Sequence, residues 1–302
     1  MHTQRNTSNA WLRRFVAHFR GAGGMYVALL FALAFVVTGC GGDHHTATNE
    51  ILTALGIVDP PRPAPEWITF ICDGSDQSTC DAGAADEQIQ LIARYTIARP
   101  GTHFEVQLLG PSASESIVLG RIDAPESSVR GRSALRAQEE RFLAAVRTQV
   151  CRPVERELRR TRPRRSEIAE AITRATLVPT NGRLRRIVVM SDLREYSDLL
   201  DAECRPLPTR AEWLAKLRRR HLLPAGSLAG ARVHFARAFG GPATGRGCSW
   251  SVARDLALRE LWGTAVQAAG AAEVTFSSEV IDLAQHTNEP ASPTRTTDGG
   301  TR

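Results

Sequence analysis

The chain reads WITFIC over residues 67–72, an unbroken run of apolar and β-prone side chains. A strand that is buried on both faces of a sheet has this pattern. Strand-like and helix-like segments alternate downstream of it. Runs rich in β-branched and apolar residues predict further strands at residues 103–109, 116–122, 187–190, 232–239 and 273–277.

Amphipathic spacing predicts helices between these strands, at residues 85–99, 127–160, 166–177, 209–221 and 249–269. Pro153 should kink or end the second helix, Thr209 is placed to cap the fourth, and Gly270 stands where the last one stops. This alternation predicts an α/β fold of Rossmann type, with a mostly parallel central sheet and helices on both faces. The short, turn-rich connection at residues 110–112 predicts one antiparallel strand at an edge.

The first forty residues have the pattern of an exported protein. Four arginines and no acidic residue precede an apolar run at residues 25–37, and Thr38-Gly39-Cys40 follows it. This order is typical of a removable signal peptide, here residues 1–39. A helix of thirteen residues is about 20 Å long, whereas the hydrocarbon core of a membrane is about 30 Å thick, so a spanning helix is the weaker interpretation.

Residues 37–40 (VTGC) resemble the lipobox of bacterial lipoproteins. The resemblance implies cleavage before Cys40, acylation of that cysteine by lipid chains such as palmitate, and attachment to a membrane. Gly41 follows Cys40 where the family uses Asp for inner-membrane retention, which implies the outer membrane of a Gram-negative cell envelope. Residues 40–66 end in a Pro-rich stretch, and we expect them to form a semi-rigid tether. An uncleaved anchor or an ordinary signal peptide is the alternative.

The net charge of +6 gives little support to nucleic-acid binding. Removal of residues 1–39 lowers the number of basic residues from 38 to 34, against 32 acidic ones, so the remaining chain carries a net charge of +2. We therefore expect no nucleic-acid partner.

Five cysteines remain beyond Cys40, and export places them where disulfides persist. Their odd number leaves at least one of them unpaired within the chain. A Cys204–Cys248 disulfide is one expected pairing, because the helices that follow would bring the two loops together, and the connectivity stays open. The absence of CxxC and His-rich spacing makes a structural zinc site unexpected. The five are Cys72, Cys80, Cys151, Cys204 and Cys248.

Candidate ligand residues stand where the predicted strands end. Asp73-Gly74-Ser75 follows the first strand, Ser191-Asp192 follows the fourth, and Ser166 opens a helix between them. Over about residues 67–283, this arrangement resembles the von Willebrand factor A (vWA) family and its metal-ion-dependent adhesion motif. Position 77 is Gln where the family has Ser, and a serine stands one residue later. The resemblance implies an Mg²⁺ site formed by Asp73, Ser75, Ser78, Ser166 and Asp192.

The same resemblance implies a function in binding. A metal held by hydroxyl groups keeps an open position that a partner's carboxylate can fill, so we expect a membrane-anchored cell-envelope protein that binds another protein through its strand-end loops. One alternative is a GDSL-like serine hydrolase, suggested by Cys72-Asp73-Gly74-Ser75 and by Asp282 and His286. Another is a metal-free structural or assembly lipoprotein. Residues 284–302 are rich in Thr, Pro and Gly and are expected to be disordered.

Overall fold

The computed structural model describes residues 63–75, 80–109, 117–126, 132–160, 166–194, 197–202, 205–238 and 251–284. The helices and strands of the described residues lie in the second of two units, Ala64–Arg302. The predicted signal peptide, Cys40, most of the tether, Ser78, Cys204, Cys248 and the tail after Ala284 lie outside the described residues. None of the helices described is long and apolar enough to cross a membrane.

A single mixed sheet forms the centre of the described chain. Its strands are β1 (Glu66–Cys72), β2 (His103–Leu108), β3 (Ile117–Asp123), β4 (Leu184–Met190), β5 (Arg232–Ala236) and β6 (Glu273–Phe276). They lie in the order β3-β2-β1-β4-β5-β6. Every neighbouring pair is parallel except β2 with β3, which is antiparallel and places β3 at an edge. The predicted fold class, including the antiparallel edge strand, is therefore confirmed.

Helices cover both faces of this sheet. They are α1 (Ala82–Ile97), α2 (Arg132–Val146), a π-helical turn (Arg147–Cys151), α3 (Arg152–Arg160), α4 (Ile168–Leu177), α5 (Arg210–Arg219) and α6 (Val252–Ala268). Helices α1, α2 and α3 pack on one face, here named the α1 face, and α4, α5 and α6 pack on the other, the α4 face. Phe70 of β1 contributes to the α1 face and Ile71 to the α4 face, because successive side chains of a strand alternate.

Local backbone chemistry sets where several of these elements begin and end. The predicted cap Thr209 is confirmed: its side chain accepts a hydrogen bond from the Glu212 backbone, and the Glu212 carboxylate accepts one from the Thr209 backbone, which makes a capping box. Gly270 has φ of 98° and stops α6 as predicted. Strand β5 ends at Ala236, three residues earlier than predicted, because Arg237 has φ of 52° and turns the chain.

The predicted long helix is interrupted next to Pro153, as expected. Proline has no backbone N–H to donate to the carbonyl four residues earlier, and its ring crowds that carbonyl, which belongs to Gln149. The chain forms a π-helical turn over Arg147–Cys151 before it continues as α3. Gly120 of β3 packs against this turn, and a Cβ at Gly120 would lie 2.6 Å from the Gln149 carbonyl oxygen. The π-helical turn thus lies so close to β3 that only glycine fits at position 120.

Candidate functional site

The carboxyl ends of β1 and β4 are adjacent, and the residues that follow them meet there. The two strands pair in parallel, with Cys72 opposite Met190. The pairing continues one residue further, since the Asp73 backbone N–H donates to the Met190 carbonyl oxygen at 3.0 Å. Residues that follow adjacent parallel strands are the usual place for a ligand site in such a sheet. Asp73 and Ser191 are both fully buried there.

The Asp73 carboxylate collects four hydrogen bonds. Its Oδ1 accepts from the Ser75 backbone N–H at 3.0 Å and from Ser75 Oγ at 2.6 Å. Its Oδ2 accepts from Ser166 Oγ at 2.6 Å and from Ser191 Oγ at 2.8 Å. Four donors satisfy a buried carboxylate in its charged form. The structure thus brings together three of the predicted site residues, Asp73, Ser75 and Ser166, and we name them with Ser191 the Asp73 cluster.

The sequence analysis noted Ser191 at the end of the fourth strand but did not include it among the site residues. The vWA-like motif directs attention to the aspartate that follows it, Asp192, whereas the hydroxyl that contacts Asp73 is the one directly after the strand. Ser191 also accepts a hydrogen bond from the Leu193 backbone N–H at 3.0 Å, so its side chain holds the turn in place as well. The position of a serine directly before the predicted ligand Asp192 was the feature of the sequence that could have indicated Ser191.

Asp192 is engaged in an ion pair with a neighbouring arginine. Its Oδ1 accepts from the Arg194 backbone N–H at 2.9 Å, and its Oδ2 lies 3.4 Å from Arg194 Nε. The two side chains are buried together. The guanidinium group supplies at Asp192 the positive charge that a metal ion would otherwise supply, so Asp192 fits the predicted metal site less well than Asp73, Ser75 and Ser166 do.

The Asp73 cluster is rich in the ligand type that a hard cation requires. Each serine hydroxyl donates its one proton to Asp73 and keeps oxygen lone pairs that can bind Mg²⁺. The described residues contain no group of three or more His, Cys, Asp or Glu side chains placed to hold a metal. Any cation at the Asp73 cluster would therefore be held mainly by hydroxyl oxygens and water.

A disulfide closes the loop that carries Asp73 and Ser75. Cys72 and Cys80 are bonded, with 5.7 Å between their Cα atoms, and both are buried. Closing a loop of this length stabilises the folded state by about 2–3 kcal/mol in the chain-entropy model. The sequence did not indicate this pairing, because Cys72 belongs to the strand and Cys80 to the loop after it.

Cys151 is a free, buried thiol, in agreement with the odd number of cysteines. Burial, together with a hydrogen bond to Asp86, raises the pKa of the Cys151 thiol to about 12. The thiol therefore stays protonated and is not a nucleophile at neutral pH.

The geometry around Ser75 differs from that of a serine hydrolase. The Ser75 hydroxyl donates to Asp73, and none of the hydrogen bonds found among the described residues joins it to a histidine. A serine nucleophile needs an adjacent base to take its proton. His286, the candidate base of the hydrolase alternative, lies outside the described residues.

No family model matches the sequence. No curated protein matches it either. Among solved structures, the conserved hypothetical protein BatB from Bacteroides thetaiotaomicron is similar, with a TM-score of 0.36 and 13% identity over 74% of this chain and 94% of BatB. The pilus adhesin SpaC from Lactobacillus rhamnosus GG has a TM-score of 0.39 and 9% identity over 76% of this chain and 30% of SpaC. These values are too low to transfer an activity or a partner.

A charged groove is lined by residues 197–201, Arg205, Pro206 and Lys216. It has a volume of about 410 Å³, and its lining includes the acidic Asp198 and Asp201 and the basic Arg205 and Lys216. Ligand pockets for small molecules are mostly apolar and enclosed. A groove that carries charges of both signs suits a polar protein surface better.

Two carboxyl groups, those of Glu167 and Glu170, are close together at the start of α4. Burial and the hydrogen-bonded carboxyl group of Glu167 raise the pKa of Glu170 to about 7. Arg220 and Arg174 oppose this change and are outweighed. Glu170 is therefore partly protonated at neutral pH.

This pair predicts a pH dependence of stability. A carboxyl group whose pKa is raised on folding contributes stability below its unfolded pKa, and loses it as the pH rises towards 7. Glu170→Gln, which mimics the protonated form, is expected to match the parent chain at pH 4.5 and to be about 0.5–1 kcal/mol more stable at pH 8. Urea unfolding at the two pH values measures this. Glu140→Gln, at an exposed position of α2, is the control, and a Glu170→Gln gain that does not change with pH would contradict the prediction.

Proposed function

We propose that this chain is a lipid-anchored cell-envelope protein that binds another protein through the loops at the carboxyl ends of its strands. The observation that carries the proposal is the Asp73 cluster. Three hydroxyl groups from three separate segments converge there on one buried carboxylate. Such convergence is costly to assemble for packing alone, since each hydroxyl loses its hydration. The groove lined by Asp198, Asp201, Arg205 and Lys216 carries charges of both signs, which favours a polar macromolecular partner.

Mg²⁺ is the cation that fits this cluster. Ser75 and Ser166 would bind it directly, and Asp73, by accepting a hydrogen bond from each, would keep both hydroxyls oriented. When bound, the ion supplies an electrophilic position that a carboxylate of the partner can occupy. Few carboxylates contact the ion directly in such a site, so little of its charge is neutralised by the protein.

Cys40 and the tether give the location of this binding surface. A lipid on Cys40 attaches the chain to a membrane, and the Pro-rich residues before β1 hold the folded unit a short distance away. The outer membrane of a Gram-negative cell is the expected site, because Gly41 follows the lipidated cysteine.

The test combines a stability measurement with capture of the partner. The full-length chain is expected to unfold at a higher temperature with Mg²⁺ than with EDTA, by the equivalent of about 2.7 kcal/mol at a hundredfold excess over the Kd. Ser166→Ala should abolish the shift and the Mg²⁺-dependent crosslinking of a partner in intact cells. Ser133→Ala removes a hydroxyl at an exposed position of α2, outside the Asp73 cluster and the charged groove, and should keep both. Cys40→Ser should release the chain from the membrane fraction. A shift that persists in Ser166→Ala would overturn the metal site.

One observation favours a metal-free variant of the same function. The Asp192–Arg194 pair already neutralises the aspartate that the vWA-like motif contributes to the ion. In that case this chain would be an assembly lipoprotein, and its partner would bind the strand-end loops without a cation. Crosslinking that is unchanged by EDTA, but weakened by Asp198→Lys in the charged groove, would support this candidate over the first.

A further inference from the structure

The segment before α5 and the helix itself line a second cavity, here named the α5 cavity. It has a volume of about 460 Å³. Pro206 and Lys216 line both this cavity and the charged groove, so the two adjoin. The other apolar residues of its lining are Leu207, Pro208 and Ala215. The α5 cavity therefore combines an apolar wall with charged residues of the helix.

The charged residues of the α5 cavity carry an excess of positive charge. Glu212 is engaged in the capping box, where its carboxylate accepts hydrogen bonds from the Thr209 backbone N–H at 2.8 Å and from the Thr209 hydroxyl at 2.9 Å. Lys216 and Arg219 lie one turn apart on the same side of α5. No carboxylate of the described residues forms an ion pair with either cation. The cavity is thus complementary to an anionic group.

Lys216 is the single lysine of the chain, in which 37 arginines supply the other strongly basic side chains. It is half-buried. Its ammonium group donates to the Leu199 carbonyl oxygen over 3.4 Å, close to the upper limit for a hydrogen bond. An ammonium group has three donors, so two are left for a further acceptor. A cation that is partly withdrawn from water binds a carboxylate more strongly than a neutral group.

The dipole of α5 alone does not explain this arrangement. Basic residues near the carboxyl end of a helix are favourable, and Lys216, Arg218 and Arg219 all lie in the last turn. That effect is the same on every side of the helix. It does not require that two of these cations line a cavity whose other wall is apolar. A ligand that carries both an anionic and an apolar group accounts for both features.

The adjoining charged groove limits where the negative charge of such a ligand can lie. Asp198 and Asp201 line that groove, and Asp201 is 3.9 Å from Arg205. A ligand that is acidic along its whole length would bring like charges together there, which is unfavourable. The acidic group therefore belongs in the α5 cavity, next to Lys216 and Arg219.

We propose that the α5 cavity binds an extended segment of the partner protein in which one acidic residue stands between apolar residues, with the acidic side chain paired with Lys216 and Arg219. Successive side chains of an extended segment point to opposite sides, so the apolar residues can pack on Leu207 and Pro208 while the acidic one meets the cations. The inference rests on the proposed function for its protein partner. It requires neither Mg²⁺ nor the Asp73 cluster.

The test measures the fluorescence anisotropy of a labelled, amidated peptide as the purified full-length chain is added in EDTA. In this peptide one glutamate stands between two leucines, with glycine and serine on both sides. Binding should saturate. Lys216→Gln, which removes the charge, should weaken it about 10–100-fold, the effect expected for loss of a hydrogen bond to a charged group. A peptide with glutamine in place of glutamate should bind less tightly by a similar factor. Arg136→Gln removes an exposed cation from α2 and should bind as the parent chain does.

Chemical coupling locates the contact within the chain. A carbodiimide joins a carboxylate to a lysine amine but not to an arginine, and Lys216 is the single lysine. The peptide should therefore become linked to Lys216 of the parent chain, as peptide mapping by mass spectrometry would show. Lys216→Arg keeps the positive charge, so it should retain most of the binding but lose this linkage.

These measurements are independent of the tests of the proposed function. Ser166→Ala should bind the peptide as the parent chain does, because EDTA removes free Mg²⁺. Equal binding by the parent chain and Lys216→Gln, equal binding of the two peptides, or coupling at sites other than Lys216 would overturn the proposal. Absence of peptide binding would overturn it as well, while the Mg²⁺-dependent shift and the membrane attachment of the proposed function would be unaffected.

Discussion

Replacing Arg186 with Met is expected to destabilise the folded chain by about 3–5 kcal/mol, because it leaves a buried carboxylate without its charge partner. Arg186 is fully buried on β4. Its Nε donates to Glu66 Oε2 at 2.7 Å, and a second guanidinium nitrogen donates to Glu66 Oε1 at 3.0 Å. The pair joins the amino-terminal halves of β1 and β4, at the opposite end of the sheet from the Asp73 cluster.

Without Arg186, Tyr95 would be the side-chain donor left to Glu66 among the described residues. Tyr95 on α1 donates its hydroxyl hydrogen to Glu66 at 2.8 Å. Burial, helped by Glu66 and opposed by Arg186, raises the pKa of Tyr95 to about 12, so it stays protonated. The remaining guanidinium nitrogen donates to His234 Nε2 at 2.7 Å. His234 must therefore carry its proton on Nδ1, which donates to Thr275 on β6. One arginine thus connects four strands and a helix.

Urea unfolding of three variants tests the size of this effect. Arg186→Met alone should show the full loss, whereas Arg186→Met with Glu66→Leu should recover most of it, because the double variant has no unpaired charge. Arg159→Met is the control, since Arg159 on α3 pairs with Glu155 at the exposed surface. It should change the free energy of unfolding by less than about 1 kcal/mol. Equal losses in Arg186→Met and in the double variant would contradict the argument.

The sequence predicted the sheet and its helices well because these depend on short-range patterns. The apolar run at residues 67–72, the cap at Thr209 and the stop at Gly270 are each set by a few consecutive residues. The pairing of side chains between strands is not determined by a few consecutive residues. Glu66 and Arg186 are 120 residues apart, and nothing local to either indicates that they meet. The Cys72–Cys80 disulfide was missed for a different reason, because a cysteine at the end of a strand resembles an ordinary core residue.

The candidate site was predictable in part. The structure brings Asp73, Ser75 and Ser166 into contact, as the parallel pairing of β1 and β4 leads one to expect, while their binding of a metal stays a prediction. The role of Asp192 differs from the vWA-like expectation, since the motif specifies the aspartate but not the arginine two residues later. The burial of three polar side chains on strand β2 was also not predicted. His103, Glu105 and Gln107 alternate as in a half-exposed strand, whereas the fold buries both faces.

Replacing Trp262 with Ala is expected to destabilise the chain by about 3–5 kcal/mol and to loosen the turn that carries Asp192. Trp262 on α6 is fully buried on the α4 face, with its ring edge-on to Trp213 at 5.5 Å between centroids. Its indole N–H donates to the Leu193 carbonyl oxygen at 3.1 Å. Leu193 has φ of 66°, a conformation that a leucine adopts only when its surroundings impose it.

Trp262→Phe separates the two contributions of this side chain. The phenyl ring keeps much of the aromatic packing but cannot donate to Leu193, so we expect a smaller loss of about 1–3 kcal/mol together with a weaker Mg²⁺-dependent stabilisation. Guanidinium unfolding with and without Mg²⁺ measures both quantities. Leu177→Ala, at a largely exposed position of α4, should stay within about 0.5 kcal/mol of the parent chain. A Trp262→Phe variant that is as stable as the parent chain would show that the Leu193 turn is held by other contacts, and the link between the α6 core and the Asp73 cluster would then be lost.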